Sequence, residues 1–550
     1  MKKIPIVYIG VIISVLVESS LVFSKNIYVD NTLSQNCTSN NYSIANRNCS
    51  GSDGNAYTTV QAAINAMNGG DDIFVRGGVY QEGLISIPLN KNGTNDNWSS
   101  IQSYGNEWAV LDGNHQCDNY GGSVIGHPSS DYGSSDLKYW LFERLEIKNG
   151  RNPGNTVASG FWINGGPFII RFCYIHDNYC NGGGNNPTGI KGLGIHDSII
   201  EYCYFDVNGV APNQWDTNGA HIAFYSDYDD DRVSRDGFSL NSSRSYRNTV
   251  RYNLMTNACV GFKYKSEQLL SGRNPAGGHG YDDTYSDYGD KIHHNIIINT
   301  RVFGISAAQD FIQVYNNIVE VPNASTSKGI VVNFEPRPNL YKTCIYNNTI
   351  VNANQFGIAH YKSDNPPSYH PLDYYGYDYN NLIDNSGSAG HGIMVVQSNS
   401  SYYGTETFDV SEYYNSNNYY YRPPRSSLFL ENVTSYTLQQ FLSQTKTHAP
   451  RIAYSNSYNS NNLLYVGTTN ADKYKVRGGH LIEGSTTIAN GGIGGTHPYL
   501  PNTTIPSYIG AVDPNDSEWV DIVFDLINLP TSGGSSLPDT PPKPRIKPAD

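Results

Sequence analysis

The chain has 550 residues, a formal net charge of −13, 54 glycines and 44 tyrosines, and only 15% of its residues are charged. Its acidic balance and its lack of lysine- or arginine-rich runs exclude the basic footprint that phosphate binding needs, so we expect no nucleic-acid partner. Few charges combined with abundant Gly, Tyr, Asn and Ser are typical of an extracellular β protein and leave helix as the minor element.

The N-terminus has the pattern of a secretory signal. Two lysines precede an apolar run over residues 4–17, and Val22-Phe23-Ser24 suits signal-peptidase cleavage. Because the run is short for a bilayer span, we predict a signal peptide over residues 1–24 and no membrane span in the mature chain. The protein is therefore expected to be secreted or held at the cell surface.

A short helix is predicted ahead of the main repeat. Val60, Ala63, Ile64 and Met67 recur at helical spacing within about residues 57–69. A repeating coil exposes an open apolar end, so we expect this helix to cap it.

The eight cysteines form no CxxC pair, which argues against a zinc or redox site. Since export permits disulfides, Cys37 and Cys49 are expected to close a polar N-terminal loop. Cys173 and Cys203 are expected to lie above each other in adjacent rungs, either as a disulfide or as buried small side chains.

Two strand-like columns alternate through the middle of the chain. Segments of the first column begin with a glycine followed by an apolar residue, at Gly160, Gly189, Gly219, Gly261, Gly304, Gly329, Gly357 and Gly392. In the second column the fourth residue is Cys173, Cys203, Asn253, Asn295, Asn317, Asn348 and Asn381. Alternating columns with variable loops predict a solenoid of β-strands, in which the asparagines form a ladder from rung to rung. The Pro-rich tail over residues 530–550 is predicted to be disordered.

Alternation along the strands predicts a row of outward side chains on the first column. The second residue after each column glycine gives Trp162, Lys191, His221, Lys263, Ser306, Val331, Ala359 and Met394. Two long polar loops, over residues 225–247 and 266–290, flank the strand that carries Lys263. Insertions on a solenoid gather on its binding face, so this strand is the predicted functional centre.

The polar part of this row suits a linear acidic sugar polymer. Elimination from a uronate needs a base for the proton α to the carboxylate, a cation for that carboxylate, and a proton for the leaving oxygen. Lys263, with Lys265 on its own strand and Lys191 two rungs away, is the expected base. His221 is the rival base or the proton donor, and Trp162 is expected to stack on a sugar ring.

Two means of neutralising the substrate carboxylate remain open. Ca²⁺ is a candidate cofactor because the densest acidic loop offers oxygen ligands at Asp227, Asp229, Asp230, Asp231 and Asp236. Asp206 and Asp216, on the preceding loop, are further candidates. Without a metal, the carboxylate would pair directly with Lys191, Arg301 or Arg337.

Three features carry a resemblance to known proteins: residues 70–80 (GDDIFVRGGVY) after the predicted cap, the asparagine column, and Gly261-Phe262-Lys263. They resemble the secreted right-handed parallel β-helix proteins, and among them polysaccharide lyases of the pectate lyase family-nine and chondroitinase B/alginate lyase type. The resemblance implies an all-β fold, a single-stranded right-handed parallel β-helix over residues 25–529 with an N-terminal capping helix, and an acidic polysaccharide as substrate. In family-nine pectate lyases a Gly-Phe-Lys strand supplies the catalytic lysine, which implies that role for Lys263. The Asp-Asp-Gly calcium segment of those enzymes has no clear counterpart in this chain.

Two other functions are compatible with the same coil. A glycoside hydrolase would need two carboxylates facing each other across a groove, from the acidic loop or Glu335. A noncatalytic glycan-binding or surface structural protein is favoured by the Tyr- and Asn-rich surface and by the Pro-rich tail. In each case we expect a monomer.

Overall fold

The computed structural model describes residues 24–117, 122–126, 137–181, 186–214, 216, 218–225, 245–265, 289–309, 311–321, 327–332, 343–361, 376–384 and 391–397, with short segments between 413 and 511. The predicted signal peptide, apart from Ser24, and the predicted tail lie outside these residues. The two long loops also lie outside them, except for their ends at Tyr225, 245–247 and 289–290. No helix among the described residues is long and apolar enough to cross a membrane.

Three long sheets run along the molecule, and each turn of the coil adds one strand to each sheet. The strand order follows the sequence, except that Asn55–Tyr57 lies outside Asn26–Val29 at the start of the first sheet. The first sheet comprises Asn26–Val29, Asn55–Tyr57, Asp72–Val75, Ser99–Ser103, Trp140–Glu143, Phe168–Arg171, Ile199–Glu201, Thr249–Arg251, Lys291–His293, Gln313–Tyr315, Thr343–Tyr346, Gly376–Tyr379 and Tyr413–Ser416. The second comprises Gly78–Gln81, Ala109–Asp112, Leu145–Lys148, Tyr174–His176, Tyr204–Asp206, Leu254–Thr256, Ile296–Ile298, Ile318–Glu320, Thr349–Val351, Leu382–Asp384, Tyr419–Tyr421 and Tyr458–Ser460. The third comprises Ile85–Ser86, Ser123–Gly126, Ser159–Trp162, Thr188–Leu193, Ala220–Tyr225, Val260–Lys265, Phe303–Ala307, Lys328–Val332, Phe356–Tyr361, His391–Gln397, Phe429–Glu431 and Thr434–Tyr436.

The remaining elements are short. They are the helix Val60–Ala66, the 3₁₀ turn Leu89–Lys91, and the paired strands Tyr179–Cys180 with Gly209–Val210, Thr487–Ile488 with Ile509–Gly510, and Gly495–Thr496 with Thr504–Ile505. Within the three long sheets every pairing is parallel except that of Phe429–Glu431 with Thr434–Tyr436. The predicted parallel β-helix is confirmed.

The core lies inside the coil, between the three sheets. Ile101, Phe142 and Ile170 follow one another in a single inward row of the first sheet, and each is 0% exposed. Their neighbours in sequence point to the other face, because side chains alternate along a strand. Stacking one apolar residue per rung in this way buries a continuous core that no single rung could form alone.

The helix Val60–Ala66 caps the first rung, as predicted. Its buried side chains face the strands Asn26–Val29 and Asp72–Val75. The Glu82 carboxylate accepts hydrogen bonds from the first backbone N–H groups of the helix, at Val60 (2.6 Å) and Gln61 (2.9 Å). Negative charge at the N-terminus of a helix satisfies donors that have no partner within the helix.

The cysteine predictions are resolved. Cys37 and Cys49 form the expected disulfide, with an S–S distance of 2.06 Å. Cys173 and Cys203 are both buried thiols, which selects the second of the two readings.

The asparagine ladder is confirmed at the turn between the first and second sheets. The side-chain amides of Asn253, Asn295, Asn317 and Asn348 each donate to the Oδ1 atom of the asparagine on the next rung, at 2.9–3.0 Å, and the series ends at Asn381. Each acceptor oxygen also receives the backbone N–H of the preceding rung's ladder residue. The residue before each asparagine has a positive φ, as at Tyr252 and His294 (55° for both). The chain therefore turns from the first sheet into the second within a single residue.

We predict that Asn317→Ala lowers the free energy of unfolding by at least about 2 kcal/mol, because it leaves buried amide groups of Asn295 without their acceptor. Urea unfolding of the purified protein measures the change. The control is Lys291→Ala, which removes an exposed side chain from a strand of the first sheet. Equal unfolding midpoints for the two variants would contradict the role given to the ladder.

A second turn of the coil holds a buried acid. Asp290 is 0% exposed, and its carboxylate accepts from the backbone N–H (2.7 Å) and side-chain amide (3.0 Å) of Asn248. Burial raises the pKa of Asp290 to about 7, and the bonds from Asn248 offset only part of this effect.

Because this pKa lies above that of an unfolded carboxyl group, at about 4, the folded state binds more protons between about pH 4 and pH 7. Asp290 therefore favours folding at the acid end of that window, and its contribution is lost as the pH rises through 7. Asp290→Asn is expected to abolish this part of the pH dependence. Urea unfolding from pH 4.5 to 8, with Asp96→Asn at an exposed site as control, measures the difference; an unchanged profile would refute the assignment.

Candidate functional site

One row on the outer face of the third sheet carries the candidate site. We call it the lysine row, and it consists of Trp162, Lys191, Ala223, Lys263, Ser306, Val331 and Ala359, paired in that order. Ile190 and Phe262, next to the two lysines in sequence, point to the other face and are completely buried in the core. The structure thus places Trp162, Lys191 and Lys263 in one row, with a single rung between the lysines, as their spacing predicts.

His221 does not belong to this row, and its predicted placement there is wrong. The register pairs Ile190 with Ile222 and Ile222 with Phe262, so Ala223 lies between the two lysines. His221 takes the position that glycine occupies on the neighbouring rungs. A shift of two residues leaves the alternation of a strand unchanged, so periodicity could not reveal it.

The chain bends at the column glycine, and a side chain at that position points into the coil. A Cβ atom added to Gly189 would lie 3.1 Å from the Asn208 side chain. His221 fills the corresponding space on its rung, is 0% exposed, and accepts a hydrogen bond at Nδ1 from Asn208 Nδ2 (3.1 Å). Burial lowers the pKa of His221 to about 3, so the ring is neutral at physiological pH. Because the side chain points into the coil, it does not reach the lysine row.

Lys191 is held between aromatic rings. Its Nζ atom lies 4.9 Å from the ring centroid of Trp162 and 5.6 Å from that of Tyr225. Lys191 and Trp162 are each 9% exposed. An ammonium over the face of an aromatic ring is attracted by the ring's quadrupole, and the attraction strengthens when water is excluded. Lys191 therefore lies where two aromatic rings can form cation–π contacts with its ammonium.

Lys263 has different surroundings. It is 1% exposed, and its Nζ atom donates to the side-chain oxygen of Asn218 at 3.4 Å. Asn218 lies just before the strand Ala220–Tyr225, on the segment that enters the preceding rung. The two lysines share a row, but one meets aromatic faces and the other an amide oxygen.

Arg301 is directed away from the lysine row. Its guanidinium donates through Nη1 to the carbonyl oxygen of Pro212, and through Nη2 to the Val210 carbonyl oxygen (3.5 Å) and the Cys259 sulfur (3.1 Å). These contacts use its terminal nitrogens within the protein. The structure therefore does not place Arg301 where a substrate carboxylate would meet the two lysines.

One further predicted site residue, Asp206, lies away from the row. Asp206 lies on the second sheet and accepts from Thr256 Oγ1 and Asn257 Nδ2, each at 2.7 Å. The side chain of Lys265 lies outside the described residues, as do Arg337, Asp227, Asp229, Asp230, Asp231 and Asp236. Within the described part of the chain, no group of three or more His, Cys, Asp or Glu side chains could hold a metal ion.

Beyond Ser306 the outer face of the third sheet becomes apolar. Val331 and Ala359 pack there with Val260, Phe303 and Phe356. Lys328 lies at the start of the same strand as Val331, is 8% exposed, and has its Nζ atom 5.1 Å from the Phe303 ring centroid.

Burial lowers the pKa of Lys328 to about 8. Sequence reasoning missed this buried lysine, although its place directly before the column glycine Gly329 was a usable signal.

Two buried carboxyl groups with a raised pKa lie away from the lysine row. Burial raises the pKa of Glu82 and of Asp290, which is the property expected of a general acid. Glu82 holds the N-terminus of the capping helix, however, and Asp290 lies in a turn inside the coil. Neither faces the lysine row.

No family model matches the chain, and no curated protein matches it. Several solved structures have a similar fold. An alginate lyase from Paenibacillus sp. str. FPU-7 is 12% identical over 61% of this chain and 94% of its own, with a TM-score of 0.35. The pectate lyase Pel9A is 14% identical over 69% and 80%, with a TM-score of 0.37. PfbA, a surface adhesin of Streptococcus pneumoniae, is 13% identical over 66% and 79%, with a TM-score of 0.43. Enzymes and an adhesin share this fold, so the likeness does not select an activity.

We predict that His221→Ala acts on stability alone. Loss of the buried ring should lower the free energy of unfolding by about 2–4 kcal/mol, because it leaves a cavity and removes the acceptor of the Asn208 amide. Thermal unfolding measures this effect, and the pH profile of any turnover should keep its shape, since the ring does not titrate near neutrality. A variant with native stability and no turnover would restore His221 as a catalytic candidate.

Proposed function

We propose that the protein is a secreted polysaccharide lyase that cleaves an acidic, uronate-containing polymer by β-elimination at the lysine row. The observation that carries the proposal is the placement of two nearly buried lysines on one row, with Trp162 beside the first of them. Adjacent rungs are about 4.8 Å apart, so the backbones at Lys191 and Lys263 are separated by roughly 10 Å. A linear polymer lying along the axis would meet Trp162, Lys191 and Lys263 in turn.

Lys263 is the proposed base. Its neutral amine takes the proton from the carbon α to the uronate carboxylate, and the electron pair forms a carbon–carbon double bond as the glycosidic oxygen leaves. The Lys263 ammonium then gives this proton to the leaving oxygen, so the amine is regenerated and the products are an unsaturated uronate end and a new hydroxyl end. Exclusion of water favours the neutral amine over the ammonium, and the contact with Asn218 orients Nζ.

Lys191 is the proposed partner of the substrate carboxylate. The faces of Trp162 and Tyr225 stabilise its positive charge, which suits a group that must stay protonated while Lys263 loses its proton. Charge neutralisation makes the neighbouring proton more acidic, because the carbanion-like transition state places extra negative charge on the carboxylate. Trp162 also offers an aromatic surface to a sugar ring.

The steps above involve only the lysine row. Among the described residues no group of three or more His, Cys, Asp or Glu side chains could hold calcium, and Asp206 is already hydrogen bonded to Thr256 and Asn257. The acidic loop from Asp227 to Asp236 stays a proposed calcium site outside the described residues. If it binds Ca²⁺, the ion would supplement Lys191 in neutralising the carboxylate.

Lys191 is 9% and Lys263 is 1% exposed. A polymer can therefore reach them only if the residues that cover the row move aside. Binding and chemistry should therefore be measured separately. Mixtures of the protein with pectate, alginate, glycosaminoglycans and glucuronan, with and without chelator, test both steps.

We predict that Lys263→Met reduces formation of unsaturated uronate ends at least about 100-fold while the polymer still binds, because the apolar side chain fills the space but accepts no proton. Ultraviolet absorbance of the product measures turnover. Lys328→Met is the matched control, since it removes another buried lysine of the third sheet that lies outside the row.

Absence of the absorbance with every polymer, or full turnover by Lys263→Met, would refute the lyase. Reducing sugar released without unsaturated ends would favour a hydrolase. Polymer binding that survives the substitution with no product under any condition would favour a glycan-binding protein.

A further inference from the structure

A clamp beside the lysine row joins three successive rungs. Arg301 and Cys259 lie at equivalent turns, just before the third-sheet strands Phe303–Ala307 and Val260–Lys265. The backbone N–H of Arg301 donates to the Ala258 carbonyl oxygen (2.9 Å), which stacks the two turns. The side chain of Arg301 then reaches back to the rung before Cys259, where its Nη1 and Nη2 atoms meet the carbonyl oxygens of Pro212 and Val210.

The Cys259 sulfur is the centre of the clamp and is 0% exposed. It accepts from Arg301 Nη2 (3.1 Å) and from the backbone N–H of Asp216 (3.5 Å). The thiol in turn donates to the carbonyl oxygen of Gln214 (3.4 Å). Arg301 and Cys259 together therefore hold four backbone groups of the segment from Val210 to Asp216.

This segment leads directly to the proposed base. The Asp216 carboxylate accepts from the backbone N–H of Asn218 (2.8 Å), and Asn218 Oδ1 accepts from Lys263 Nζ (3.4 Å). A continuous series of contacts thus runs from Arg301 through Cys259 and Asp216 to the amide that meets Lys263.

We propose that Arg301 is a positioning residue that fixes Asn218 against Lys263 and so orients the base. This inference rests on the proposed lyase function. The planar guanidinium suits the task because it presents several donors in a fixed fork, whereas a lysine ammonium at the same place could not reach two carbonyl oxygens and a sulfur at once. Arg301 acts only through Asn218 and touches no substrate.

The first test is a kinetic double-mutant cycle. Arg301→Gln and Asn218→Ala are each expected to lower kcat about tenfold with little change in KM, because a misplaced base slows the chemical step more than binding. The double variant should be no slower than either single variant, since both remove the same contact with Lys263. Arg301→Lys should recover only part of the rate. Multiplying rate losses in the double variant would show that Arg301 merely stabilises the fold, and would overturn the proposal.

The matched control is Arg251→Gln. Arg251 also forms charge-assisted hydrogen bonds, to Glu201 at 2.8 Å, but it lies on the first sheet, away from the lysine row. Its rate loss, if any, should multiply with that of Asn218→Ala.

The second test requires no turnover. An amine-reactive label applied to the folded protein, followed by peptide mass spectrometry, reports the accessibility of the Lys263 amine. Arg301→Gln and Asn218→Ala should raise the labelling rate of Lys263 several-fold, and Arg251→Gln should leave it unchanged. If no polymer is cleaved but the labelling changes as expected, the lyase function fails and the positioning role stands. If turnover is found and Lys263 labelling is the same in wild type and Arg301→Gln, the positioning role fails alone.

Discussion

The hydrogen bonds between asparagine side chains on successive rungs are the interaction on which the rest of the molecule depends. Each ladder amide satisfies a buried backbone N–H on the rung before it, so a rung cannot slip without leaving several donors unpaired. The single left-handed residue before each asparagine makes the turn equally short on every rung. A fixed turn gives the strands a fixed register, and the register carries through to the third sheet. The ladder begins at Asn253, on the rung of Lys263, whereas the rungs of Ala223 and Lys191 carry Cys203 and Cys173 at the same position. The ladder therefore helps to fix the register of Lys263 and of the rungs that follow it.

Because their strands share a register, Lys191 and Lys263 point in the same direction, but their surroundings differ. Lys191 lies against aromatic faces that favour a cation, whereas Lys263 is enclosed and meets a neutral amide oxygen. In the proposed mechanism these surroundings suit opposite purposes, with Lys191 remaining charged and Lys263 giving up its proton. The difference comes from Trp162 and Tyr225 beside Lys191, and from the segment that carries Asn218 beside Lys263. The repeat supplies the positions of the lysines, and departures from the repeat supply their chemistry.

This division also explains what could be predicted from the sequence. The coil and the asparagine ladder follow from patterns that recur from rung to rung, and the capping helix follows from the apolar spacing within residues 57–69; all three were predictable. His221 was misplaced because its strand is displaced by two residues relative to the column glycine, a displacement that alternation cannot detect. The contacts of Arg301 depend on how the segment from Val210 to Asp216 packs against the next two rungs, which no local pattern encodes. Arg337 and the acidic loop at residues 227–236 lie outside the described residues, so their expected roles stay predictions.

The helix over the first rung has a consequence for assembly. A parallel coil ends in rows of unpaired backbone groups and apolar side chains that would accept the end of another molecule, and repeated joining of this kind produces fibres. The helix Val60–Ala66 covers the apolar end. Its first backbone N–H groups donate to the Glu82 carboxylate, so they do not remain available to another molecule. The same short helix that completes the fold therefore also limits growth of the stack from this end.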